Sequence, residues 1–298
     1  MTTSDAALFP PEIESFRAQI DSQLEAYSDL GSDCPSHLRE AIQYCLLAPG
    51  KRIRPLLVLT AASLCNGKID NAMPSACAVE MIHNYSLIHD DLPAMDDDEL
   101  RRGRATCHIA FDEATAILAG DALIPLAFEI ISRDTQPAEI AIKCVKALAK
   151  ASGPCQLVGG QADDLNLQFA PADIESLEKI HRRKTGALLT ASLELGALSA
   201  GASDEQRNSL VNYGKHLGLA FQIVDDLLDL RGSQVKMGKR TGKDAKSGKQ
   251  TYPAVIGEQA SVQRAQEMAD QAIASLEPFK DAATALELLA RFVVGRTH

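Results

Sequence analysis

Apolar residues recur along this chain at intervals of three and four, the spacing of one helix face, while alternating β-branched runs are almost absent. Ala, Leu, Glu and Gln dominate between the breaks, and these are good helix formers. The breaks fall at Pro10-Pro11, Gly31 to Pro35, Pro49-Gly50, Asn66-Gly67, Pro74, Pro137, Gly153-Pro154, Pro171, Gly201 to Ser203 and Gly232, with segments of helix length between them. The pattern predicts an all-α protein. No internal repeat or change of composition marks a linker, so it also predicts a single domain over 1–298, opened by a helical segment over 1–35.

Three helix faces line up polar or small residues beside apolar ones. Glu80, His83, Leu87 and Asp90 form one stripe. Leu177, Ile180, Lys184, Leu188, Ala191 and Leu195 form another, on which Lys184 either snorkels to solvent or points into a polar pocket; with Thr185 beside it the pocket is the reading adopted. The third runs through Gly214, Gly218, Gln222, Asp225 and Asp229, with Leu217, Phe221, Val224 and Leu228 assigned to the core.

The chain has 298 residues and a formal net charge of −10, which argues against general nucleic-acid binding. The start lacks a basic region followed by an apolar core, and no run is read as long enough for a membrane span, so no stable membrane insertion is expected. Cys34, Cys45, Cys65, Cys77, Cys107, Cys144 and Cys155 form no CxxC pair; an odd number without an export signal fits reduced thiols and a cytoplasmic protein. Against this acidic background, 236–250 (KMGKRTGKDAKSGKQ) stands out as basic and glycine-rich, and is read as a mobile lid loop.

Acids cluster twice. In DDLPAMDDDE, Asp90 and Asp96 are six apart, about 120° on a straight helix. Pro93 removes a helical hydrogen bond, so the helix should end or bulge there and let Asp96 return beside Asp90. In FQIVDDLLD, Asp225 and Asp229 share a face, flanked by Asp226, and a cation would relieve their repulsion. Carboxylates without a His/Cys ligand set suit Mg²⁺, which keeps waters and binds substrate phosphates. Cationic groups for those phosphates are available at Lys51, Arg52 and Arg54 in PGKRIRP, at Arg101-Arg102, and at Lys184.

GKRIRP, DDLPAMD, RRG, GGQADDL (159–165), KTG, FQIVDDLLD, GK…GKD and the arginine-containing tail, in this order and spacing, resemble the trans-isoprenyl diphosphate synthases, most closely the bacterial-type farnesyl diphosphate synthases, from about Pro49 to His298. The resemblance implies an isoprenoid synthase fold with helices around a deep central cavity, usually a homodimer. It implies that isopentenyl diphosphate is joined to dimethylallyl and then geranyl diphosphate. By motif position, Asp90 and Asp96 would bind Mg²⁺ that holds the allylic diphosphate, with Asp91 supporting, and Asp225 would take a further Mg²⁺, with Asp226 and Asp229 completing the motif. Three ions are implied in the loaded complex, with Mn²⁺ as a substitute. Arg101, Lys184 and Lys239 would contact the allylic diphosphate; Lys51, Arg54, His83 and Arg102 would grip isopentenyl diphosphate; Thr185 and Gln222 would line the reacting carbons.

The chemistry needs these types. Loss of diphosphate from an allylic carbon leaves a carbocation, and cations lower the barrier by neutralising the leaving group. No protein nucleophile is required. Tyr85, about 7 Å below Asp90 along the helix, and its neighbour Ser86 are the implied chain-length positions, stopping growth at fifteen carbons. Geranylgeranyl diphosphate synthase is the alternative within the class, and residue 85 discriminates. A terpene cyclase would not need Lys51, Arg54 and His83; a non-catalytic partner subunit would be expected to lose one aspartate motif. His89-Asp90 hints at an HD-type phosphohydrolase, but the other histidines form no matching ligand set.

Overall fold

A computed structural model of the chain describes residues 11–166, 173–235 and 250–295. The predicted lid, apart from Gln250, together with Lys239 and the arginine of the C-terminal tail, lies outside the described residues. Among the described residues the regular secondary structure is helical apart from one hairpin of two-residue strands. Backbone packing separates the chain into two compact units, Pro11–Lys146 with Leu195–Gly201, and Ala147–Glu194 with the described chain from Ala202 on.

The first unit contains α1 (Pro11–Ser28), α2 (Ser36–Leu46), α3 (Ile53–Leu64), α4 (Ile69–Asp90), α5 (Cys107–Ala110) and α6 (Glu113–Asp134), and α7 (Ala138–Ser152) leaves it. α4 is apolar on nearly every side from Ala72 to Ile88, and a helix of that kind belongs in the interior. It packs chiefly against α6 and α3. Pro74, read from sequence as a break, lies inside α4 instead; the single lost hydrogen bond is offset by burial of the surrounding turns. The long helix Asp204–Val235 of the second unit likewise continues through Gly232.

α6 begins with a capped turn, the Asp112 carboxylate accepting from the Thr115 backbone N–H and hydroxyl at 2.8 Å each. Contrary to the sequence reading, α6 is long and apolar enough to cross a membrane by length and composition, yet its Thr115, Ala116, Ala119, Leu123, Ala127 and Ile130 side chains are buried.

The second unit is built on α11 (Asp204–Val235), against which α13 (Glu258–Ala274) and α14 (Thr284–Gly295) pack. Tyr213 is buried between them and its hydroxyl donates to the Leu286 carbonyl at 2.7 Å. α8 (Leu157–Asn166), α9 (Ile174–His181), a π turn (Arg182–Gly186) and α10 (Ala187–Ser199) complete its other side, and α12 (Tyr252–Ile256) follows the undescribed segment. The apolar seam from Leu177 to Leu195 is buried, as expected. On α11 the expectation needs correction: Leu217 and Val224 are buried, but Phe221 and Leu228 are only half-buried, and Leu219, Ala220, Ile223 and Leu227 supply the rest of the core face. Gly214 and Gly218, read as part of a polar seam, are packing positions: a Cβ on Gly218 would lie 2.8 Å from the Gly186 Cα, and one on Gly214 would lie 2.8 Å from the Thr190 Cα. Small residues there let two backbones touch.

Candidate active site

In the first unit, α4 ends at Asp90, and the chain then folds back on itself. The Asp96 N–H donates to the Asp90 carbonyl at 2.9 Å and the Asp98 N–H to the Asp91 carbonyl at 3.2 Å. The return of Asp96 to Asp90 expected from Pro93 therefore occurs, and both side chains are half-buried. Asp91 points elsewhere. Only 3% exposed, it accepts from Arg101 Nε at 2.9 and 3.0 Å and from Nη2 at 2.6 Å. Burial pushes the Asp91 carboxyl up despite this pair; burial also opposes the Arg101 charge, but the Asp91 contact more than restores it. Asp91 is thus a clamp for Arg101.

A tight hairpin presents the arginines. β1 (Leu100–Arg101) and β2 (Arg104–Ala105) pair antiparallel, Leu100 opposite Ala105. Arg102 and Gly103 between them both have positive φ, 53° and 77°, the two-residue hairpin geometry that favours glycine in its second position. Arg102 Nη1 reaches the Pro49 carbonyl at 3.1 Å and lies over Gly50, bringing the hairpin to the GKRIRP segment.

Within that segment the three cations separate. Lys51 is exposed and Arg54 lies half-buried in the first turn of α3. Arg52, offered by sequence as a phosphate group, is instead a core residue: in a left-handed backbone conformation and 5% exposed, it donates to Glu80 Oε1 at 2.8 Å, Asp21 at 2.9 Å, and the Leu46 and Ala48 carbonyls. Buried Glu80 leaves the polar stripe with it. His83 is half-buried one turn along, and burial together with the charges of Arg54, Arg102, Arg101 and Arg52 holds it well below the usual imidazole range. A neutral histidine under so many guanidinium groups marks a strongly positive field in an acidic protein.

Tyr85 is 7% exposed, its hydroxyl pushed up by burial and by Asp90. The Ser86 hydroxyl donates to the His83 carbonyl of its own helix at 2.8 Å.

In the second unit, Asp225 and Asp229 lie one turn apart on α11, both half-buried, with Gln222 a turn before Asp225. Asp226 turns aside: its Oδ2 accepts from the Tyr252 N–H at 2.9 Å and lies 3.3 Å from His181 Nε2, whose ring stacks on that of Tyr252 at 5.6 Å. Lys184 and Thr185 sit in the π turn, a distortion common at functional sites. α8 presses close here, since a Cβ on Gly160 would meet the Lys184 backbone at 2.4 Å. This contact brings Asp164 to Lys184 Nζ and Asp163 to Arg183, both at 2.7 Å. Lys184 thus has an acidic partner, and its side chain stays 21% exposed. Sequence reading quoted GGQADDL as a landmark but gave its aspartates no role; neither they nor His181 and Tyr252 carry a spacing signal, because their partners lie on other elements.

Among the described residues no three His, Cys, Asp or Glu side chains gather as a protein cage for a metal. Pairs of half-buried carboxylates at 90 and 96, and at 225 and 229, fit Mg²⁺, which takes one or two carboxylates and completes its shell with water and phosphate oxygens.

The chain matches the model of the polyprenyl synthetase family over residues 35–289. It is 43% identical to a farnesyl diphosphate synthase of Escherichia coli K12 over 298 aligned residues, covering 97% of this chain and 99% of that one. A geranylgeranyl diphosphate synthase of Cyanophora paradoxa is 44% identical over 267 residues, 89% of each chain. Among solved structures, an FPP/GFPP synthase of Zymomonas mobilis superposes with a TM-score of 0.85 at 39% identity, covering 95% of this chain and 97% of that one. Likeness of this extent in sequence and in helix arrangement leaves one assignment: the chain belongs to the polyprenyl synthetase family.

Proposed function

We propose that this protein is a trans-prenyltransferase that condenses isopentenyl diphosphate with dimethylallyl and then geranyl diphosphate, releasing farnesyl diphosphate and inorganic diphosphate. The observation that carries this reading lies within one unit: a carboxylate pair suited to a metal-bound diphosphate ends α4, while the guanidinium groups of Arg54 and Arg102 gather around the neutral His83 next to it. Two anion-binding chemistries side by side suit a reaction between two diphosphates. A cyclase or phosphohydrolase, with one, would not need the second.

Asp90, Asp96 and Asp225 would hold Mg²⁺, with three ions in the loaded complex, and the metal when bound supplies positive charge to the departing diphosphate. Arg101, kept charged and aimed by Asp91, would hold that leaving group, and the motif position of Lys184, beside Asp164, gives it the same role. Arg54, Arg102, His83 and Lys51 orient isopentenyl diphosphate so that its double bond meets the allylic carbon. Thr185 and Gln222 turn oxygen dipoles toward the cation without supplying a carboxylate that would trap it. The allylic carbon–oxygen bond breaks, the π pair of isopentenyl diphosphate forms the new carbon–carbon bond, and a proton leaves to the released diphosphate. Tyr85, buried below Asp90, supports a fifteen-carbon stop; a geranylgeranyl product is the second reading, favoured by the names of some relatives.

Ile109, Ile117, Leu118 and Ile142 leave large apolar side chains exposed on α5 to α7, and we assign the protein to a homodimer that would cover part of this apolar surface. No disulfide joins the described cysteines, and a cytoplasmic location is the reading we adopt. The deciding experiment incubates the protein with Mg²⁺, isopentenyl diphosphate and either dimethylallyl or geranyl diphosphate, and sizes the hydrolysed alcohols. Farnesol as the main product supports the reading; phosphate release from isopentenyl diphosphate alone, with no longer alcohol, defeats it.

A further inference from the structure

Immediately before Asp90, His89 reaches from α4 into α6. Its Nε2 lies 3.1 Å from the Ile117 carbonyl oxygen, an acceptor, so Nε2 carries the proton and donates to it. The imidazole occupies the space of an absent side chain: a Cβ on Gly120 would fall 2.2 Å from Nε2 and 2.6 Å from Cδ2. Asp121, on the next turn, is exposed and its Oδ1 is 3.9 Å away, too far for a hydrogen bond. One turn earlier on α4, the Tyr85 ring meets the imidazole edge to face, with centroids 5.8 Å apart and planes at 78°. Three independent contacts therefore converge on one imidazole: a carbonyl that orients it, a glycine that makes room for it, and the tyrosine it abuts.

We propose that His89, seated over Gly120, is a positioning residue for product length: it holds the Tyr85 ring in the orientation that blocks the growing apolar chain. An aromatic ring limits chain growth only while it stays in one rotamer, and buried side chains still change rotamer where packing allows. His89 supplies the edge contact that resists this, and the Ile117 hydrogen bond keeps the imidazole from turning with the ring. Gly120 is part of the device, because any larger residue there would displace the imidazole.

This inference rests on the reading of Tyr85 as the length stop, and the experiment separates the two. Full-length wild type, His89→Ala, Gly120→Ala and Tyr85→Ala are incubated with Mg²⁺, isopentenyl diphosphate and dimethylallyl diphosphate, and the product alcohols are resolved by length. His89→Ala and Gly120→Ala are each expected to raise the twenty-carbon fraction several-fold, while the rate of the first condensation stays close to wild type. A merely structural role would lower that rate and leave the product ratio unchanged. If Tyr85→Ala lengthens the product and neither other variant does, the role of His89 is overturned and the Tyr85 reading stands. If Tyr85→Ala also leaves the product unchanged, both fall. The two substitutions act from different helices, so either folded variant decides the matter.

Discussion

Arg101 and Asp91 form a two-pronged pair across the base of the hairpin, Nε and Nη2 of the guanidinium both reaching one carboxylate at 2.6 to 3.0 Å. Asp91 is almost wholly buried and Arg101 partly so, which makes the carboxylate a fixed support and the guanidinium the group free to act on a ligand. Asp91→Asn keeps the shape but loses the charge and one acceptor. It should cost about 1–3 kcal/mol of stability, less than a fully buried pair because Arg101 is about a third exposed. It should also lower kcat on the order of 10²-fold, as expected when a donor to developing charge is lost from register. Thermal melts with steady-state rates measure both; an Asp91→Asn enzyme with wild-type kcat would show that the clamp is dispensable.

His83 gives the isopentenyl site a pH dependence whose sign follows from its surroundings. Burial and four arginines hold the free enzyme's imidazole neutral well below the ordinary value. The unfolded chain therefore binds more protons than the native one once pH drops below about 6.5, so native stability should fall there as pH falls. A bound diphosphate reverses the local field and raises the His83 pKa, so binding takes up a proton. KM for isopentenyl diphosphate should then rise with pH across the neutral range, and His83→Gln should flatten the part of that slope exceeding the substrate's own titration. Measured KM against pH for both proteins tests this.

Arg52 and Arg54 sit two positions apart in one motif and should respond oppositely. The Arg52–Glu80 pair has side chains only 3% and 4% exposed, so Glu80→Ala would strand a buried guanidinium and cost about 3–5 kcal/mol. Arg52→Ala would further remove the donors to Leu46, Ala48 and Asp21. Arg54→Ala should leave the melting temperature nearly unchanged and raise KM for isopentenyl diphosphate. Melting curves and KM values that failed to split in this way would remove the distinction between core and ligand arginine.

The same division applies to the neighbouring acids on α11. Asp225→Asn should raise the Mg²⁺ concentration needed for half-maximal rate by an order of magnitude or more, on the order of the ~10–100-fold typical of disturbed metal sites. Asp226→Ala leaves the Tyr252 N–H and His181 without their acceptor, which should cost about 1–3 kcal/mol while the Mg²⁺ requirement changes little. Mg²⁺ titrations of activity beside thermal melts separate the two residues.

How much of this was legible beforehand differs by element. The helices over 174–199 follow their apolar seam from Leu177 to Leu195 because each position is set by its neighbours on one face. Pro93 foretold the fold-back of Asp96 through a local steric rule. Pro74 misled, because the same rule is overridden where a helix is buried on almost every side. Glycines at 214 and 218 looked like gaps in a polar stripe, and only the backbone of the facing helix shows that they are contacts.

The sequence by itself determined the all-helical class, the two aspartate motifs and the chemistry their order implies, since periodicity, turn residues and motif spacing are properties of adjacent positions. Only the tertiary structure decided which of several identical side chains does what: Arg52 in the core and Arg54 beside His83, Asp91 holding Arg101, Asp164 holding Lys184, His89 seated over Gly120. These partners are 10, 20, 28 or more positions apart along the chain. An arginine's role is fixed by burial and by the charge that faces it, and both are set by the path of the chain through space.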